Sequence, residues 1–160
     1  SKLLKKYPID FQFIGDGIER NKLEDLVEKN GQKNIFFYDS MNRSELIKWI
    51  KRSSVCLVPL KKNPLFHSAL PSKMFEYMAC AKPIIIGIKG DAADIVNNTK
   101  SGTIVEPENA ILLSEAIIDY YQNEDKCYKH GANGMNYVTK NLRKEELISK
   151  LLISINKVFN

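Results

Sequence analysis

Ser72, Lys73 and Glu76 are the residues whose types and spacing are best suited to binding a ligand. They lie in the stretch ALPSKMFEYMACAKPIII, where Glu76 is the one carboxylate of a mainly apolar run. Positions i, i+1 and i+4 share one face of a helix, so we expect the three side chains to lie together. A buried carboxylate without a partner is costly. Glu76 is therefore expected either to lie at the edge of the run or to be bound by a protein group or a ligand.

The start of this predicted helix is suited to binding an anion. Proline is favoured at the first helical position, so we predict Pro71 there, with Leu70 as a cap that offers no side-chain oxygen. The amides of Ser72 and Lys73 are then unpaired at the positive end of the helix dipole. A carboxylate one turn later would suit a ligand with both phosphate and vicinal hydroxyls, such as a sugar nucleotide. The alternative is a solvated helix start in which Lys73 pairs with Glu76 for about 0.2–0.5 kcal/mol.

Short apolar runs that alternate with helical periodicity must position these residues. FQFIG, NIFFY and PIIIGI are mainly apolar, which is typical of parallel strands covered by helices on both faces. The pattern predicts an α/β fold with a doubly wound parallel sheet, whose ligands bind at the carboxyl ends of the strands. Besides the helix that contains Glu76, we predict strands over 11–15, 34–38, 54–60, 83–88 and 102–105, and helices over 18–29, 44–52, 91–97, 109–122, 126–139 and 143–158.

The composition is that of one globular domain over residues 1–160. Hydrophobic residues make up 44% of the chain and charged residues 27%. Cys56, Cys80 and Cys127 lack metal-ligand spacing, so we interpret them as reduced thiols of a cytoplasmic protein and expect no metal. The lysine-rich start SKLLKKYP has the character of the end of a helix. We therefore expect the chain to be an excised piece of a larger protein.

The net charge of +5 is a weak indicator of binding partners. Acidic and basic residues are interleaved, as in the sequence RKEE at 143–146, which is typical of a solvated helix face. Arginine clusters with stacking aromatic residues are missing from the sequence, so nucleic acid is not an expected partner. The amphipathic segment 142–159 is expected to pack against protein, and it also suits peripheral contact with a membrane.

Two further loops carry weaker patterns. Gly15 and Gly17 flank an aspartate after the first predicted strand, where they either form a turn or cradle a phosphate. Asp91 and Asp94 lie at the start of a predicted helix and fit a variant of the capping box.

Several segments, taken in order, resemble the signature of the group 1 glycosyltransferases. PSKMFEYMACAKPIII is similar to the family pattern E-x-F-G-x-x-x-x-E-A-M-A-x-G-x-P-V-I, with Glu76 at its second glutamate. Further similar segments are FIGDG at 13–17, VCLVPL at 55–60, DIV at 94–96 and SGTIVEP at 101–107. The order and separations agree over roughly residues 10–116. The form PSKxFEYMA is similar to bacterial enzymes that build capsule, O-antigen or exopolysaccharide.

The resemblance implies one half of a GT-B fold, the C-terminal Rossmann-like half that binds the sugar-nucleotide donor. It implies that Glu76 bonds the ribose hydroxyls and that Ser72 and Lys73 bind the diphosphate without a metal or other cofactor. It also places Ser40 and Met41 against the base. The remaining implied donor contacts lie in the loops before this helix and after the fourth strand, at Leu70, Pro71 and Gly90.

The sequence departs from the family pattern at two places. The first glutamate of the signature, which the family uses to contact the transferred sugar, falls on Ser68 with His67 beside it. Either side chain is a candidate replacement for that contact. The family's phosphate-binding Arg and Lys come from a first strand–helix unit that would precede Ser1. We therefore expect this chain alone to bind nucleotide weakly and to lack turnover, with its catalytic residues unassigned.

The leading expectation is the donor-binding half of a retaining glycosyltransferase, a hexosyl or amino-sugar transferase. It would act on a saccharide or lipid-linked acceptor in cell-surface polysaccharide synthesis. Its partners would be the nucleotide sugar and an N-terminal acceptor domain, in the cytoplasm or at the inner face of the plasma membrane. The alternative is a non-catalytic nucleotide- or phosphate-binding module.

Overall fold

The computed structural model describes residues 4, 6–63 and 66–142. The described residues form two compact units, which divide between Trp49 and Ile50. The predicted helix over 143–158, and the membrane contact assigned to it, lie outside the described residues.

The first unit contains two parallel strands and the helix that joins them. Strand β1 is Phe11–Ile14, helix α1 is Arg20–Lys29 and strand β2 is Ile35–Tyr38. Phe11 lies opposite Ile35 in the register, and the rings of Phe13 and Phe37 stack with their centroids 5.2 Å apart. Helix α2, Arg43–Arg52, begins in this unit, where the ring of Trp49 lies 4.5 Å from that of Tyr38.

The second unit contains a three-stranded parallel sheet in the order β3-β4-β5. Ile84 at the start of β4 lies opposite Cys56 on one side and Gly102 on the other. The elements of this unit, in chain order, are β3 Cys56–Pro59, α3 Ser72–Ala79, β4 Ile84–Gly87, α4 Asp91–Thr99, β5 Gly102–Ile104, α5 Ala110–Gln122 and α6 Glu124–Asn141.

Helices cover both faces of this sheet. Successive side chains of a strand point to opposite faces, yet Ile84, Ile85 and Ile86 are all at most 1% exposed. Helix α5 packs on β4, and α3 packs on β3 and β4. The predicted α/β class, with parallel strands flanked by helices, is therefore confirmed. Cys56, Cys80 and Cys127 are free thiols.

Two glycines allow α6 to lie directly on neighbouring backbone. A Cβ added at Gly131 would lie 2.1 Å from the carbonyl oxygen of Ala81, and one added at Gly134 would lie 3.0 Å from the Cγ of Met78. Both glycines are buried, and α6 packs along α3. The close approach therefore depends on glycine at these two positions.

Replacing Gly131 with alanine is expected to lower the free energy of unfolding by about 1–3 kcal/mol, because backbone rather than a flexible side chain must move. Chemical denaturation measures the change. Gly17→Ala is the matched control, since a Cβ there meets no atom within 4 Å. Equal stability of Gly131→Ala and the wild type would show that α6 does not lie this close to Ala81.

A hydrogen-bonded network joins β5, α5 and α6. Thr103 donates to the hydroxyl oxygen of Tyr120 at 3.1 Å, and that hydroxyl lies 2.8 Å from Nδ1 of His130. Since the tyrosine oxygen already accepts a bond, its hydrogen is available to an unprotonated Nδ1. Burial, followed by the charge of Lys126, lowers the pKa of His130, and burial raises the pKa of Tyr120 to about 12.

This network is expected to make stability fall on acidification. A histidine whose pKa is lower in the folded state binds fewer protons than in the unfolded chain, so its stabilising effect is lost as the pH falls below about 6.5. The melting temperature should therefore drop between about pH 7 and pH 5, and drop less in His130→Gln. His67→Gln, which changes an exposed histidine, serves as the control. The same pH dependence in His130→Gln as in the wild type would contradict this assignment.

Candidate functional site

Helix α3 begins with an open N-terminus at the carboxyl edge of the second sheet. Its N-cap is Pro71, whose φ of −61° and ψ of 120° are extended, and no side chain caps the helix. The prediction that Pro71 is the first helical residue and Leu70 the cap was therefore wrong by one position. The extended ψ keeps Pro71 outside the helix, and proline has no side-chain acceptor either.

The first two amides of α3 remain available to a ligand. The amide of Met74 donates to the carbonyl oxygen of Pro71 at 3.0 Å. Within the described residues, the amides of Ser72 and Lys73 have no backbone or side-chain acceptor, and both residues are exposed. The predicted pair of free amides is thus present, although the cap residue differs. Orphan amides at a helix start carry the positive end of the helix dipole.

Glu76 lies on the solvent side of α3. Met74 and Met78 are fully buried at 0% exposure, whereas Glu76 is exposed. The apolar run around Glu76 is therefore an amphipathic helix with its carboxylate outside the core. Among the described residues, Glu76 has no hydrogen bond and no ion pair, so the pairing with Lys73 that the alternative required does not form.

The loop that precedes α3 rests on the start of α4. The amide of Asp91 donates to the carbonyl oxygen of His67 at 2.9 Å. Gly90 has a φ of +89°, and an added Cβ would lie 2.0 Å from that carbonyl oxygen. His67 and Gly90, two predicted site residues, are therefore in direct contact, and Ser68 beside them is exposed.

The capping-box prediction for Asp91 and Asp94 was wrong. Gly90 is the N-cap of α4, and no side chain caps this helix. The sequence pattern was misleading because Asp91 already lies inside the first helical turn, where its side chain cannot act as an N-cap. The glycine is required instead by its positive φ and by the close approach of His67.

Three loops at the carboxyl ends of the second sheet converge on a charged cluster that the sequence interpretation missed. Nζ of Lys62, after β3, lies 3.5 Å from Oε1 of Glu106, and Nζ of Lys89, after β4, lies 2.9 Å from Oε2. Glu106 itself follows β5. The hydrogen bond from Lys89 is the main reason that the pKa of Glu106 is lowered. The sequence offered one signal for this cluster, because each of the three residues lies within three positions of the end of a predicted strand.

The other predicted residues, Gly15, Gly17, Ser40 and Met41, belong to the first unit. They lie in the loops that follow β1 and β2, as expected for parallel strands. Arg20 was not predicted. Its guanidinium bonds Asp16 at 3.0 Å and Asp39 at 2.7 Å, which ties these two loops together.

A side-chain hydrogen bond with Ser40 is the main reason that the pKa of Asp16 is lowered. Gly15 has a φ of +122°, which explains the glycine after β1 as a turn residue.

In the described part of the chain, no group of three His, Cys, Asp or Glu side chains is arranged to hold a metal ion. None of the described helices has the length and apolar character needed to cross a membrane.

Parallel strands flanked by helices, with an open helix start at their carboxyl ends, define a Rossmann-like α/β protein. Residues 1–137 match the family model described as glycosyl transferases group 1. The chain therefore belongs to the group 1 glycosyltransferase family, as its sequence motifs implied.

One relative is similar to the chain in sequence, and solved structures are similar to it in fold. The chain is 28% identical over 156 residues to the uncharacterized glycosyltransferase MJ1178 of Methanocaldococcus jannaschii. This match covers 98% of the chain and 42% of that protein. Its fold matches the sucrose-phosphate synthase of Thermosynechococcus elongatus with a TM-score of 0.81 and 22% identity, covering 99% of this chain and 41% of that one. It also matches HepE of Anabaena in complex with UDP, with a TM-score of 0.74 and 14% identity over 98% and 43% of the two chains. The chain thus spans less than half the length of these proteins.

Proposed function

We propose that this chain is the donor-binding half of a retaining glycosyltransferase, and that it binds a nucleotide-diphosphate sugar at the start of α3. The observation that carries the proposal is that the amides of Ser72 and Lys73 and the exposed carboxylate of Glu76, on the same helix, have no bonding partner among the described residues. In this proposal the amides bind the diphosphate, and Glu76 accepts hydrogen bonds from two ribose hydroxyls. No described protein donor competes for that carboxylate.

Electrostatics suit the helix start to the leaving group of glycosyl transfer. The diphosphate gains negative charge as the bond to the sugar breaks, and preorganised amides stabilise such charge most strongly where water is excluded. Lys73 adds an exposed ammonium one residue into the helix. This arrangement would offset the charge of the diphosphate without a metal ion.

The comparisons support a nucleotide sugar as the ligand without identifying it. The structure of HepE was solved with UDP, and the chain has the same fold over 98% of its length. We also propose that an N-terminal acceptor domain is the partner of this chain. The enzyme would act in bacterial cell-surface polysaccharide synthesis, in the cytoplasm or at the inner face of the plasma membrane. The resemblance of PSKMFEYMA to enzymes of that type supports them.

Nucleotide binding is the experiment that tests the proposal. Calorimetric titration of the proposed two-domain enzyme with UDP, GDP, ADP and CMP should show a clear preference for one nucleoside diphosphate, whereas this chain alone is expected to bind nucleotide weakly. The same two-domain enzyme should then transfer sugar from the matching donor. Absence of binding to all four nucleotides would contradict the proposal.

The second candidate function is a nucleotide- or phosphate-binding module without catalysis, because the open helix start alone explains binding but not transfer. Activity of the proposed two-domain enzyme separates the two candidates. Nucleotide binding with neither transfer nor hydrolysis of the donor would favour the module.

A further inference from the structure

The cluster of Lys62, Lys89 and Glu106 has more positive charge than its own carboxylate can neutralise. Each oxygen of Glu106 contacts one ammonium, at 3.5 Å for Lys62 and 2.9 Å for Lys89. Two cations therefore share a single anion, and the cluster keeps a net charge of about +1 at neutral pH. Within the described part of the chain, neither ammonium has another ion-pair partner. Donor hydrogens of both lysines therefore remain for a further anion.

Stability does not account for this arrangement. The side chains of Lys62 and Lys89 are 68% and 54% exposed. Ion pairs between exposed groups contribute about 0–1 kcal/mol, and two neighbouring ammoniums repel each other. A binding role explains why two lysines contact one glutamate better than a structural role does.

The position of the cluster is that of a ligand site. Lys62, Lys89 and Glu106 follow three adjacent parallel strands at their carboxyl ends, which is the edge where such sheets bind ligands. Lys89 also precedes Gly90, and Gly90 packs against the carbonyl of His67 in the loop that leads into α3. The cluster and the open start of α3 therefore belong to the same edge of the same unit.

We propose that Lys62 and Lys89 bind an anionic group of the donor, in addition to the amides of Ser72 and Lys73, and that Glu106 is a positioning residue that holds the two ammoniums together. The anionic group is a terminal phosphate of the nucleoside diphosphate or a carboxylate on the transferred sugar. This inference rests on the proposed function, since it assigns a further contact of the same donor.

The test compares the binding of four ligands to the proposed two-domain enzyme. UDP, UMP, UDP-glucose and UDP-glucuronate are titrated by calorimetry into the wild type and into Lys62→Ala/Lys89→Ala, with the guanine series used if GDP is preferred. Lys22→Ala is the control for removal of an exposed lysine that pairs with a glutamate, since Lys22 pairs with Glu19 at 3.1 Å. Melting temperatures check that each variant is folded.

Two results support the inference and identify the anion. If the lysines bind the terminal phosphate, the double variant should bind UDP about tenfold more weakly and UMP unchanged. If they bind a carboxylate on the sugar, binding of UDP and UDP-glucose should be unchanged and binding of UDP-glucuronate should fall about tenfold. The affinities of Lys22→Ala should match the wild type in either case.

Changes below twofold for all four ligands in the double variant, with normal binding by the wild type, would overturn this inference and leave the proposed function intact. If the wild type bound neither these ligands nor any of the four nucleotides UDP, GDP, ADP and CMP, the proposed function would fail together with the inference.

Glu106→Gln separates positioning from bulk charge. The change makes the cluster more positive by one unit, so a purely electrostatic role predicts tighter binding of the anionic ligand. A positioning role predicts weaker binding, because Glu106 no longer holds both ammoniums. Tighter binding by Glu106→Gln would overturn the role given to Glu106.

Discussion

Replacing Glu76 with glutamine is expected to weaken binding of the preferred nucleoside diphosphate about 10- to 100-fold, and to leave the melting temperature unchanged. Hydrogen bonds to a charged group contribute about 1.5–3 kcal/mol each, and glutamine replaces one acceptor oxygen with a donor. Stability should not change, because Glu76 is exposed and bonds to no described residue. Calorimetry gives the dissociation constant, and differential scanning calorimetry gives the melting temperature.

Glu115→Gln is the matched control for this variant. Glu115 is also an exposed helical glutamate, on α5, and has no ion pair with the described residues. Its substitution changes the net charge by the same amount, so a general electrostatic effect on nucleotide binding would appear in both variants. An unchanged dissociation constant in Glu76→Gln would remove Glu76 from the site.

Replacing Gly90 with alanine is expected to lower the free energy of unfolding by about 2–5 kcal/mol and to weaken donor binding. Gly90 has a φ of +89° and a ψ of −149°. Residues other than glycine adopt this backbone conformation at a cost of about 1–3 kcal/mol. The new Cβ would also lie 2.0 Å from the carbonyl oxygen of His67, so the loop before α3 must move. Chemical denaturation and nucleotide titration measure the two effects.

Gly15→Ala isolates the strain contribution of a positive φ. Gly15 has a φ of +122°, but an added Cβ there meets no atom within 4 Å. We expect this control to lose about 1–2 kcal/mol, less than Gly90→Ala. Equal losses would indicate that the contact between Gly90 and His67 contributes nothing.

The main elements could be predicted because local sequence determines them. The run PIIIGI indicated a strand buried on both faces, and Ile84, Ile85 and Ile86 are buried as expected. The open start of α3 followed from the absence of any capping side chain before Ser72. The family motifs lie in contiguous segments, so they indicated membership without knowledge of tertiary contacts.

Features that depend on contacts distant in sequence could not be predicted. Lys62 and Glu106 are far apart in the chain and meet only because β3 and β5 flank β4. From the sequence alone, glycine at position 131 indicates only a weaker helix. Its close approach to the backbone of Ala81 is known only from the structure. The exact cap of α3 depended on the ψ of Pro71, which a preference for proline at the first helical position does not determine.

The most direct measurement of the central claim is a crystal structure of the protein with its preferred nucleoside diphosphate. We predict phosphate oxygens within hydrogen-bond distance of the amides of Ser72 and Lys73, and both ribose hydroxyls bonded to the carboxylate of Glu76. A nucleotide bound elsewhere, with the start of α3 contacted by solvent alone, would contradict the account.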